Sequence, residues 1–137
     1  MKSQELQRRT KAFALQGIRF IETLPATKTS DVMSRQLLRS GTSVGANYRA
    51  ACRAKSRADF IAKMSVVEEE ADGCAYWLEL LEETGVVKPL SSKALTQEAH
   101  EITAMTVASI KSARKSSQSL HSAFRIPHST FTDWASR

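Results

Sequence analysis

Between Arg35 and Lys63 the chain places seven basic side chains, Arg35, Arg39, Arg49, Arg53, Lys55, Arg57 and Lys63, against a single acid, Asp59. Arg35 and Arg39 stand four residues apart, as do Arg49 and Arg53, the spacing that lines side chains up in a row on one side of a helix. The chemistry open to such a row is phosphate neutralisation, in which each guanidinium that meets a phosphate releases condensed counterions. A net charge of +6 and a pI near 9.6 favour polyanionic partners. Arg35, Arg39, Arg49, Arg53, Lys55 and Arg57 are therefore the candidate nucleic-acid-binding residues, with RNA or DNA as the expected ligand. No aromatic platform of the kind that stacks bases interleaves with these arginines, so the expected mode follows the backbone and is weakly sequence-selective.

An acidic zone follows the basic one: from Glu68 to Glu83 there are seven acids and no base. In an oligomer the basic zone of one subunit can meet the acidic zone of the next, which makes a structural scaffold or protein adaptor the alternative reading. The two readings are compatible if Lys2, Arg8, Arg9 and Lys11 keep free charge.

No catalytic constellation accompanies these charges. A di-iron bundle needs Glu three residues before His on facing helices, and none of His100, His121 and His128 has one. Phosphate-cradling glycine runs, and CxxC or His-x-x-x-His spacings, are absent as well. Glu68, Glu69, Glu70 and Asp72 are adjacent helical acids that point around the helix, the pattern of a solvated face. The expectation is a protein that is not an enzyme and that needs no cofactor and no metal.

Cys52 and Cys74 sit inside helical patterns and read as small buried hydrophobes in a reducing, cytoplasmic setting. Uncharged stretches fall well short of the roughly 18 apolar residues of a membrane span, so no membrane association is expected. The basic start "MKSQELQRRTKAFALQGIRF" shares features with a transit peptide, but Glu5 and the periodicity that follows make it a native first helix.

The elements that must position these charges are legible in the spacing of apolar residues. Leu6, Thr10, Phe13, Gly17, Phe20 and Leu24 recur at four and three, the seam of a first helix that Ala14 and Ile21 widen and Pro25 ends. Ser30 or Asp31 is the expected N-cap of a second helix with Met33, Leu37, Leu38, Gly41, Val44, Tyr48 and Ala51 inward. A third helix after Ser56 carries Phe60, Met64, Val67, Ala71, Cys74, Leu78 and Leu81 and stops at Gly85. A fourth, capped by Ser91 or Ser92, buries Leu95, Ala99, Ile102, Met105 and Ile110 and fades after Lys115. Short connections return each helix beside its predecessor. The expected fold is all-α, an up-and-down antiparallel four-helix bundle over residues 1–115 with a Ser-rich C-terminal tail over residues 116–137. The tail either moves freely or docks Phe124, Ile126, Phe131 and Trp134 on a neighbouring subunit.

Three residues carry structural expectations. Gly41 and Gly45 each cost about 1 kcal/mol inside a helix relative to Ala, which a close helix approach would offset. An antiparallel turn near residue 27 sets Gly41 opposite Phe13, and Gly17 opposite Leu37 and Leu38. Asn47 falls beside the seam and needs partners for its amide, with the glutamates of the third helix as the nearest suppliers; it reads as a structural amide that fixes register.

The segment "RSGTSVGANYRAACRAKSRADFIAKMSVVEEEADGCAYWLELLEETG", residues 39 to 85, resembles the signature of the four-helix-bundle family that includes the 23S ribosomal RNA intervening-sequence proteins. Ser43, Asn47, "CRAKSRADF", "EEEAD" and "YWLELL" occur together in the family's order, within a pattern that spans roughly residues 5 to 115. The resemblance implies an up-and-down bundle that assembles as a homopentamer. Its distant relatives include accessory proteins of diversity-generating retroelements, which bind nucleic acid and a reverse transcriptase, and a reverse transcriptase is a possible partner by that distant resemblance alone. The family name describes where such genes sit, inside ribosomal RNA insertions, and carries no activity with it.

Overall fold

Four helices make up the fold: α1 (Ser3–Glu22), α2 (Lys28–Ala51), α3 (Arg57–Glu83) and α4 (Pro89–Ser122). The structure is a computed structural model that describes residues 3–122, so the expectation of docking tail aromatics, which falls on residues 124–134, lies outside the described residues. α2 packs on α1 and α3, α3 packs on α4, and α4 closes back on α1, the neighbour relations of an up-and-down antiparallel bundle.

The core is built around the strict four-three repeat of α3. Phe60, Met64, Val67, Ala71, Cys74, Leu78 and Leu81 are all buried, and each of the larger ones contributes about 1.5–3 kcal/mol by leaving water. Leu6 and Phe13 join them from α1, Leu37, Val44, Tyr48 and Ala51 from α2, and Leu95, Ala99, Ile102, Ile110 and Ala113 from α4. Leu38, expected inward, is 41% exposed; it stands one residue, or about 100° of helix, beyond Leu37, which takes the inward place. Met105 likewise is only partly covered, and Thr106 beside it is buried.

The helix ends differ from expectation in three places. α2 is capped by Thr27, whose hydroxyl accepts from the Ser30 N–H at 3.2 Å; Ser30, an expected cap, is buried inside the first turn. α4 begins at Pro89 rather than after Ser91 or Ser92, because proline's fixed φ and missing N–H suit the first helical position. Its last turns run to Ser122, beyond the boundary expected at 115. Ser56 caps α3, accepting from the Asp59 N–H at 3.0 Å, while the Asp59 carboxylate reaches back to the Lys55 N–H at 3.1 Å, a reciprocal arrangement that satisfies two otherwise orphaned donors. Gly85 closes α3 with φ 78°, a left-handed conformation that glycine adopts without steric cost.

Candidate nucleic-acid interface

The two glycines of α2 serve different neighbours. A Cβ on Gly45 would lie 3.4 Å from Thr10 Oγ1 and 3.5 Å from the Thr10 carbonyl, so α1 and α2 approach closely there. A Cβ on Gly41 would instead face Cys74 Sγ of α3 at 4.0 Å. The expected opposition of Gly41 and Phe13 is therefore corrected: the antiparallel α1–α2 register holds to within a residue, but Gly45 is the glycine turned toward α1. Gly17 has no neighbour within 4 Å of a built Cβ, so the expected packing against Leu37 and Leu38 is absent. The Asn47 amide, half-buried, donates to the Ser43 carbonyl one turn back at 2.9 Å. It finds its acceptor on its own helix and not among the α3 glutamates, because a side-chain amide at i reaches the i−4 carbonyl without leaving the helix surface.

The six basic candidates separate into three environments. Arg35, Arg49, Arg53 and Lys55 are exposed. Arg39 is exposed but paired, donating from Nη1 to Glu70 of α3 at 3.0 Å and from Nη2 to Ser40 Oγ at 3.1 Å. Arg57 is 6% exposed: it stands three residues before Phe60 on the inward face of α3, which removes it from any surface a phosphate can reach in this structure. Lys63 is engaged by Asp59 of its own helix at 2.5 Å. The hydrogen bond from Lys63, followed by that from the Lys55 N–H, holds the Asp59 carboxyl below its ordinary range.

On α1 the charges also divide. Arg9, whose free charge is one of the conditions that would make the two readings compatible, is clamped by Glu98 of α4 at 2.7 Å through both Nε and Nη2, and reaches Glu101 at 3.1 Å. The hydrogen bond to Glu98 pushes the guanidinium pKa further above its ordinary value. Arg8 and Lys11 point away from that clamp. With Gln7 and Ala14 they form one wall of a groove of about 480 Å³, and Thr42, Gly45, Ala46 and Arg49 of α2 form the other. Three cations line this groove and no carboxylate does. Gly45 sets its depth, since the missing side chain lets α1 approach α2, while Gln7 adds an amide able to donate to phosphate oxygens; the Thr42 hydroxyl donates instead to the Leu38 carbonyl of its own helix at 2.8 Å. Spacing flagged Arg49, and composition flagged Arg8 and Lys11. The groove that joins them depends on the α1–α2 register.

Two larger grooves differ in character. One, of about 720 Å³ along α4, mixes Lys93 with Glu82 and Glu101. The other, of about 690 Å³, carries Arg19 and Lys88 over Phe20, Leu24, Val87 and Leu95. Burial pushes the Cys74 thiol up to about 12, and it likewise raises the Tyr48 phenol, to which the neighbouring Cys52 adds, so both stay protonated at neutral pH. Cys52 itself is half-buried, more open than a core cysteine. Among the described residues no three His, Cys, Asp or Glu side chains gather as a metal site, and no helix is long and apolar enough to cross a membrane.

Among known proteins, the family model of the 23S rRNA-intervening sequence protein matches residues 2–108. A crystal structure of a protein of unknown function from the S23 ribosomal protein family of Bacteroides thetaiotaomicron is similar at 37% identity with a TM-score of 0.75, covering 81% of this chain and 99% of that one. No curated protein matches significantly.

Proposed function

The chain belongs to the 23S rRNA-intervening sequence protein family, whose name carries no activity, and we propose that it is a non-enzymatic, self-assembling cytoplasmic bundle that binds RNA or DNA along the phosphate backbone. The observation that carries this reading is the α1–α2 groove, where Arg8, Lys11 and Arg49 converge without a carboxylate. From Leu6 to Ile21 and from Val32 to Arg53 neither helix contains an acid, so the field over the groove is not cancelled locally. Arg53 and Lys55, both exposed, extend it. Self-assembly, pentameric if it follows the resemblance, is the second part of the reading. It is supported by the acid-only stretch of α3 from Glu68 to Glu83, which offers the opposite charge to a neighbour.

A variant carrying Arg8→Gln, Lys11→Gln and Arg49→Gln tests the groove. Fluorescence anisotropy at several salt concentrations should show weaker binding to unrelated RNA and DNA sequences. The log affinity should fall less steeply with log salt, by about 0.7–0.9 for each phosphate that is no longer neutralised. Arg39→Gln, which removes a cation already paired with Glu70, should change the slope less than Arg49→Gln alone. Because the three replaced side chains are exposed, unfolding stability should stay within about 0.5 kcal/mol of the parent. An unchanged salt slope in the triple variant would overturn the groove as the binding surface.

A further inference from the structure

The α1–α2 groove does not end at Lys11. The register that sets Thr10 against Gly45 and brings Ala14 and Thr42 onto the same groove carries the next turn of each helix, Ile18 and Leu38, to the same level. Leu15 follows Lys11 by four and extends this end. All three are exposed in the bundle, so one continuous face is basic at its Arg8–Arg49 end and apolar at its Ile18–Leu38 end. Arg19 and Arg35 border the apolar end, and Glu22 and Asp31 lie beyond it at the tips of the helices.

The outer stripe of α3 has the complementary make-up. Val66 and Tyr76, 37% and 54% exposed, are interspersed with the exposed acids Glu69, Asp72 and Glu79, and no Lys or Arg occurs between Met64 and Val87. Neither face suits its own copy. A two-fold contact would set the acids of α3 against acids, or the cations bordering Leu38 against cations, whereas each face offers the other apolar contact and opposite charge.

We propose that the Leu15–Ile18–Leu38 end of the α1–α2 face seats the Val66–Tyr76 stripe of α3 from a second copy of this chain, head to tail. Repetition of such a heterologous contact generates a ring when its rotation closes. It leaves the Arg8–Lys11–Arg49 end of the same face open to nucleic acid, so the two readings of the charge pattern occupy separate ends of one surface. The inference rests on the self-assembly reading above, and its test separates the two.

In a Cys52→Ser background, Leu38→Cys and Tyr76→Cys variants of the full chain are expressed singly and together, then oxidised. Buried Cys74 serves as the common internal control. The expected result is a disulfide-linked pair on a non-reducing gel only when both variants are present. Self-linked Leu38→Cys or Tyr76→Cys chains would show a two-fold contact and overturn the proposal. An assembled mass by light scattering with no cross-link overturns this pair of faces and leaves assembly standing, whereas a single-chain mass for the parent protein removes the assembly reading and this inference with it. As an independent check, Tyr76→Lys, at an exposed site that leaves the fold intact, should reduce the assembled mass to that of a single chain. Retention of the full assembly by Tyr76→Lys would overturn the proposal.

Discussion

The two sides of α2 handle the same kind of residue in opposite ways. Toward α3, the helix presents small side chains that interlock: Gly41 lies against Cys74, and Gly73 would place a Cβ 3.6 Å from Ser40 Oγ. The cation there, Arg39, is neutralised by Glu70. Toward α1, Gly45 again permits a close approach, but the cations at the rim, Arg8, Lys11 and Arg49, meet no acid. Glycine and arginine thus build a sealed seam on one side and an open charged groove on the other. The difference shows that a count of basic residues overstates the available field. Of the seven between Arg35 and Lys63, Arg39 and Lys63 are ion-paired and Arg57 is buried.

The largest expected effect breaks the sealed side. Gly41→Leu forces a branched side chain into the α2–α3 seam at Cys74, and overpacking of this kind costs about 1–3 kcal/mol. Urea denaturation followed by helical circular dichroism should show the midpoint fall. An unchanged midpoint would mean that the seam has slack and that the contrast between the two sides is weaker than described.

Alanine at the two glycines sharpens the comparison at smaller amplitude. A methyl at position 41 would have 4.0 Å to its nearest neighbour, so Gly41→Ala should recover up to about 1 kcal/mol of helix propensity. At position 45 the methyl would press on Thr10 at 3.4 Å, so Gly45→Ala should gain less, with the difference read from the same denaturation curves. Equal gains would mean that α1 yields easily and that Gly45 does not set the groove.

The smallest effect concerns the junction that supplies α3 with its cap. Asp59 is held below its ordinary range by the Lys63 hydrogen bond and then by the Lys55 N–H. A depressed folded-state pKa contributes stability that is fully present above the unfolded value of about 3.9 and is lost as pH falls through the folded value. Asp59→Asn should therefore narrow the gap in denaturation midpoint between pH 7 and pH 3 relative to the parent protein. The Arg8, Lys11 and Arg49 variants, whose charges line a groove without a carboxylate, should leave that gap as it is.

Much of the fold was legible because helical burial repeats at a fixed interval. The seven inward residues of α3 follow from spacing alone, and Gly85 marks its end because few other residues adopt a positive φ cheaply. Cap positions were less legible: Thr27, Ser30 and Asp31 are all competent caps, and only the backbone path of the preceding turn chooses Thr27. Leu38 was misplaced because an apolar residue beside an inward one satisfies the same periodicity.

What the sequence determined by itself is therefore the order of the helices and most of each inward face, since these rest on interactions within a few residues of one another. It also determined the division of the chain into a basic and an acidic zone. Only the tertiary structure decided which cations remain available. Arg9 is clamped by Glu98 across 89 residues of chain and Arg39 by Glu70 across 31, and a pairing over that distance depends on how two helices are rotated against each other. The same rotation turns Gly45 toward α1 and Gly41 toward α3, because four residues advance a helix by about 400°, some 40° past a full turn. At the junction of three helices that offset is enough to change the neighbour.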